Sequence, residues 1–179
     1  PIISPTYSNG TFSNIPLFLG SDFKDYNFFD TGFCIAIGFP NGKARLEVSN
    51  YLKKEGLYPV DVVSSHADYI KEPNAGEGLQ ILSGSHVAVR CKIGHQVTIM
   101  AHCNVDHECT LADGVTLAPG VILCGEVSIG ECSSIGAGAI VIPRVKIGKN
   151  CFVGSGSVVM WDVPDNTRVM GNPAAEYKV

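Results

Sequence analysis

The run Asp106-His107-Glu108, with His102 just before it, gathers side chains that can move a proton. An imidazole titrates near neutrality, and a carboxylate that fixes its tautomer turns it into a general base. With His107 taken as position i, Gly125 is i+18. Where a repeating structure completes one turn over that interval, the two positions stack roughly 5 Å apart, the spacing of paired strands. The backbone N–H of Gly125 can then hold a carbonyl oxygen beside the base. One histidine on a surface is more often solvated than catalytic. The spacing is what singles this one out.

The element that sets the spacing is a repeat of six. From Leu79 the chain divides without a gap into LQILSG, SHVAVR, CKIGHQ, VTIMAH, CNVDHE, CTLADG and onward to SVVMWD. The third place of all fourteen hexads is Ile, Leu or Val, from Ile81 and Val87 to Val153 and Val159. Such a period excludes an amphipathic helix and a simple two-faced strand. It fits a triangular coil of three short strands, with the aliphatics stacked inside. Three hexads make each coil, so the array runs for nearly five coils, with a less regular first coil starting near His66. The first place is small or β-branched, which assigns Cys91, Cys103, Cys109 and Cys151 to core filling. Glycines directly after the aliphatic, such as Gly94 and Gly130, are expected to supply the corner dihedrals.

Residues 1–62 read as a small α/β unit and residues 63–179 as the β-helix domain. PTYSNGTFSN is a polar, turn-rich lead-in, while PLFLGS and FCIAIG suit buried strands. Ala44, Val48, Tyr51 and Leu52 give one apolar face to a helix that stops at Gly56, and YPVDVV reads as a strand after it. No GxGxxG supports a dinucleotide site. With 45% hydrophobic and 17% charged residues and a net charge of −4, the chain has no footprint for nucleic acid. It shows no signal peptide and no run long enough to span a membrane. Seven cysteines without paired CxxC spacing suit reduced thiols in the cytoplasm.

VDHEC (105–109), IAIG (35–38) with Arg45, SHADYI and DVPDNTRVMGNPA (162–174) together resemble the NeuD/PglD family of sugar O- and N-acetyltransferases. The resemblance covers roughly residues 15–179 and implies a left-handed parallel β-helix, a hand that periodicity alone does not give. It implies transfer of acetyl from acetyl-CoA, without a metal, to the amino group of a nucleotide-linked amino-dideoxy sugar, with a sialic-acid hydroxyl as the alternative acceptor. His107 would be the base, Glu108 its orienting partner, and the Gly125 amide the donor to the acetyl carbonyl. Ala137 and Ser155 match positions whose backbones meet the pantetheine arm. These two are one coil apart, but Ala137 lies two hexads beyond Gly125 and so on another face. A linear cofactor is more easily shared by two chains than wrapped around an edge, which favours a homotrimer with sites between protomers. Arg144, Lys146 and Lys149 could meet the CoA phosphates, but exposed basic residues are mostly solvated, so they are not counted among the site residues. The sequence departs from the family in lacking its opening strand and glycine-rich turn, and in placing Met100 where relatives often carry Asn.

Two other readings compete. His102 and His107 are five apart, with His66 two coils before His102, which echoes the zinc site of γ-carbonic anhydrases shared between protomers. Against this, that family sets its close pair one place earlier in the hexad and lacks both the Glu after the second His and the GNPA tail. The remaining reading is a non-catalytic β-helix scaffold.

Overall fold

The computed structural model describes residues 30–177 throughout and, before them, the strands Ile2–Ile3, Gly10–Phe12 and Ile15–Phe18. The chain forms two compact units, Pro1–Thr31 and Gly32–Val179. In the first, Ile15–Phe18 lies between the other two strands, parallel to Ile2–Ile3 and antiparallel to Gly10–Phe12. The apolar run PLFLGS is a strand as far as Phe18, and its remainder, like most of the polar lead-in, lies outside the described residues.

In the second unit each hexad contributes a two-residue strand from its second and third places, such as Asn104–Val105, Thr110–Leu111 and Thr116–Leu117. Each pairs in parallel with the strand three hexads on: Val105 with Leu123, Leu111 with Ile129, Leu117 with Ile135. The third-place aliphatics from Ile81 to Val159 are all buried and form one continuous core. The result is a left-handed parallel β-helix of about six turns. Three sheets make its faces. A short face carries Lys92, Thr110, Ser128 and Lys146; an open face runs from Asp68–Tyr69 to Val158–Val159; a covered face runs from Val62–Val63 to Arg168–Met170. The array thus begins at Val62, ahead of the expected start near His66.

The first-place residues do more than fill space. Cys91, Cys103 and Cys109 direct their thiols at the carbonyls of Asp106, Ala118 and Cys124 in the following coil, at 3.2, 3.1 and 3.2 Å. Ser85 and Ser133 do the same to Met100 and Gly148, at 2.8 and 2.6 Å. Small donors therefore satisfy corner carbonyls that face the interior.

The corner dihedrals fall elsewhere than expected. From Gly84 to Gly156 the sixth place of every hexad has positive φ, whether it is Gly or Arg90, Gln96, His102, Glu108, Glu126, Cys132, Arg144 or Asn150. Gly94 and Gly130, directly after the aliphatic, are not left-handed; a Cβ there would strike the next coil, at 2.7 Å from the Asp113 nitrogen and 2.5 Å from the Gly148 carbonyl carbon. Close stacking, not backbone freedom, requires glycine at those places.

Before the array, Gly32–Phe33, the helix Gly42–Lys54 and Tyr58–Pro59 form a parallel strand–helix–strand unit. FCIAIG is a strand only at Phe33. Its later carbonyls, at Ile35 and Ile37, accept instead from Gln80 and Arg45 as the segment crosses the covered face. YPVDVV is divided as well: Tyr58–Pro59 joins Gly32–Phe33, and Val62–Val63 pairs with Gln80–Ile81. The helix buries Gly42, Arg45, Ser49 and Leu52, leaving Val48 and Tyr51 exposed, so the expected apolar face is turned. The reason is the surface it meets. Thr98 and Thr116 are outward residues of the covered face, and both are buried beneath this segment. Arg45, wholly buried, donates to the carbonyls of Gln96, Ile37, Gly114 and Val115 at 3.2–3.4 Å and to Thr116 Oγ1 at 2.7 Å. Burial pulls its guanidinium below the ordinary value.

Candidate active site

The corner between the open and short faces carries Val89, His107, Gly125 and Pro143 in successive coils. Backbone bonds fix the stack: the Glu108 N–H donates to the Val89 carbonyl at 3.1 Å, the Glu126 N–H to that of His107 at 2.9 Å, and the Arg144 N–H to that of Gly125 at 3.0 Å. The imidazole is half-exposed and lies over Gly125. A Cβ added to Gly125 would sit 2.6 Å from His107 Nε2 and 2.7 Å from Cε1. Among the described residues, no hydrogen bond occupies the Gly125 N–H.

The other ring nitrogen is held. His107 Nδ1–H donates to Glu108 Oε2 at 3.2 Å, which leaves the lone pair on Nε2. Glu108 in turn meets Arg90 Nε through Oε1 at 3.0 Å. Arg90 was not legible as a site residue. The signal was its position three hexads before Glu108, one coil below. Asp106 caps the His107 backbone N–H at 2.7 Å and does not bond the ring. The left-handed φ of Glu108 recurs at every sixth place, so it belongs to the architecture and not to the chemistry.

Ala137 and Ser155 stack on each other, with the Gly156 N–H donating to the Ala137 carbonyl at 2.8 Å. Both are exposed, at the corner between the covered and open faces, and their N–H groups carry no hydrogen bond among the described residues. One chain therefore sets His107, Glu108 and Gly125 together but leaves Ala137 and Ser155 across the open face. His102 lies at that second corner, its ring against Gly84, away from His107. Among the described residues, no group of three His, Cys, Asp or Glu side chains is arranged to hold a metal ion. A groove of about 530 Å³ between the helix and the corner of His95 and Asp113 is separate from the His107 corner.

Such a corner can hold a carbonyl oxygen at Gly125 while Nε2 takes a proton from an attacking nucleophile. The comparisons agree with acyl transfer. The family described as bacterial transferase hexapeptide (six repeats) matches residues 126–160. By sequence, no curated protein matches the chain. By structure, WeeI from Acinetobacter baumannii AYE superposes with a TM-score of 0.90 at 29% identity, over 98% of this chain and 84% of that one. Perosamine N-acetyltransferase from Caulobacter crescentus, a histidine variant in complex with CoA and GDP-perosamine, gives 0.86 at 27% identity, over 93% and 80%. The acetyltransferase domain of PglB from Neisseria gonorrhoeae FA1090 gives 0.85 at 25% identity, over 95% and 83%. The repeats and the coil are shared with these solved acetyltransferases, and the likenesses together show an acyl- or acetyltransferase.

Proposed function

We propose that the protein transfers acetyl from acetyl-CoA to the amino group of a nucleotide-linked amino sugar. The observation that carries this is the approach of His107 Nε2 to Gly125, with Nδ1 held by Glu108 and the Gly125 N–H unused. The solved relative bound to CoA and GDP-perosamine, 28% identical with a TM-score of 0.85, supports both co-substrate and acceptor class. The acetyl carbonyl accepts from the Gly125 N–H. The sugar amine attacks the carbonyl carbon as Nε2 takes its proton. The tetrahedral intermediate then expels the CoA thiolate, which recovers that proton from the imidazolium.

Ala137 and Ser155, with free N–H groups on the far corner, suit the pantetheine amides only if a neighbouring protomer presents them beside His107. We therefore take the working unit to be a homotrimer with its sites between chains. In this reading residues 63–179 are the catalytic domain and residues 1–62 the accessory unit. Seven free thiols suit a cytoplasmic enzyme, and among the described residues no helix is long and apolar enough to cross a membrane.

The test is CoA release over a panel of nucleotide amino sugars and sialic acid, with wild type and His107→Ala. One amino-sugar nucleotide should be turned over, and the variant should lose about 10²–10⁴ in kcat, the usual worth of a general base. Wild-type turnover by the variant would remove His107 from the mechanism, and turnover of sialic acid alone would replace the acceptor.

A further inference from the structure

The three-hexad register that governs the catalytic corner breaks once, two coils above Gly125. Val141 still pairs with Val159, three hexads on, but Ile147 bridges to Val163, two places short of a full coil. Two residues are lost at this corner. Met160, Trp161 and Asp162 cut across it, where the coil below uses residues 142–146. The shortcut is fastened at its end: Asp162 accepts the Lys146 N–H at 2.8 Å, and the Val163 N–H donates to the Lys146 carbonyl at 2.9 Å. On it stand two large apolar side chains in solvent, Met160 at 46% and Trp161 at 58% exposure. Trp161 is the only tryptophan of the chain.

The height of this ledge matters. At about 4.8 Å per coil, it lies roughly 10 Å above Gly125. Ala137 lies two hexads after Gly125 and Ser155 one full coil above Ala137, so these N–H groups, unbonded among the described residues, climb the array, and Trp161 shares a coil with Ser155. With the carbonyl of a thioester at Gly125, the dimethyl-bearing carbon of pantetheine is ten bonds beyond the sulfur. That is about 12 Å when extended, at the ~1.2 Å per bond of an extended chain. The branched, apolar part of the arm therefore reaches the level of the exposed indole.

Resting on the acetyl-CoA reading above, we propose that Trp161 is a binding residue for the acyl-CoA arm. It packs on the dimethyl segment from the wall opposite the Ala137–Ser155 edge of a neighbouring protomer. An indole left in water at that height offers a broad apolar surface to the part of the ligand that has no hydrogen bonds to offer.

The single tryptophan makes the test direct. Calorimetry and Trp161 emission are followed together as the intact protein is titrated with CoA, with pantetheine, with 3′,5′-ADP and with the nucleotide-sugar acceptor. CoA and pantetheine should shift the emission to the blue, while 3′,5′-ADP and the acceptor leave it in place. Trp161→Ala should raise KM for acetyl-CoA about tenfold, with a smaller change in kcat and in acceptor KM, and Trp161→Phe should recover most of the loss. Binding of CoA with unchanged emission, or a shift produced by the acceptor instead, overturns the role of Trp161 while leaving the acetyltransferase reading intact. An absence of CoA binding by calorimetry overturns both.

Discussion

Gly125→Ala isolates the contact on which the proposed chemistry depends. The new methyl would sit 2.6 Å from His107 Nε2 and 2.7 Å from Cε1. Carbon contacts relax at about 3.5 Å or more, so the ring must withdraw by about 1 Å. It has room to do so, because the imidazole is half-exposed and, among the described residues, is tied only through Nδ1 to Glu108. Gly125 is not left-handed, so alanine strains no backbone and keeps the N–H. The fold should lose little, with Tm falling by less than about 4 °C, the shift that ~1 kcal/mol produces in a domain of this size. Catalysis should lose far more. A misplacement of about 1 Å costs about 100-fold, equivalent to about 2.7 kcal/mol of barrier. The assay is initial-rate CoA release at saturating acetyl-CoA and acceptor, beside thermal unfolding of the same preparation. Gly38→Ala is the control, since nothing lies within 4 Å of a Cβ there. A Gly125→Ala enzyme with wild-type kcat would show that close approach of Nε2 to this residue plays no part in the reaction.

Two further outcomes follow from the packing. Arg45→Ala strips a buried cation from four carbonyls and Thr116 Oγ1, and chemical unfolding should show a loss of about 2–4 kcal/mol, whereas a neutral result would mean water satisfies those groups. Of seven thiols, Cys91, Cys103, Cys109 and Cys151 are buried, and burial pushes that of Cys103 up to about 11, so a thiol reagent at pH 8 should label at most three sites in the native protein and seven in denaturant. Rapid labelling of more than three native thiols would contradict the assignment of these cysteines to the core.

The ladder of inward aliphatics, the coil length and the stacking of His107 beneath Gly125 were all legible in the chain, because each is a strictly periodic property. A residue's place in its hexad decides whether it points inward, and a step of three hexads decides what it touches one coil away. Every pairing from Val87 with Val105 to Val141 with Val159 follows that rule. Position alone did not reveal what depends on non-periodic partners. The helix face containing Val48 and Tyr51 reads as apolar, yet Arg45 and Ser49 go inside, because Thr116, Gln96 and the Gly114 carbonyl wait there. Corner glycines read as sources of backbone freedom, yet the left-handed place is the sixth, and it is set by coil geometry whichever side chain occupies it. The register break that lifts Trp161 onto its ledge is likewise a tertiary event, since hydrogen bonds between Lys146 and the Asp162–Val163 pair draw the corner in. Local periodicity specified the scaffold and the column that bears the imidazole; contacts between distant segments decided which outward residues are covered and which are left free for a ligand.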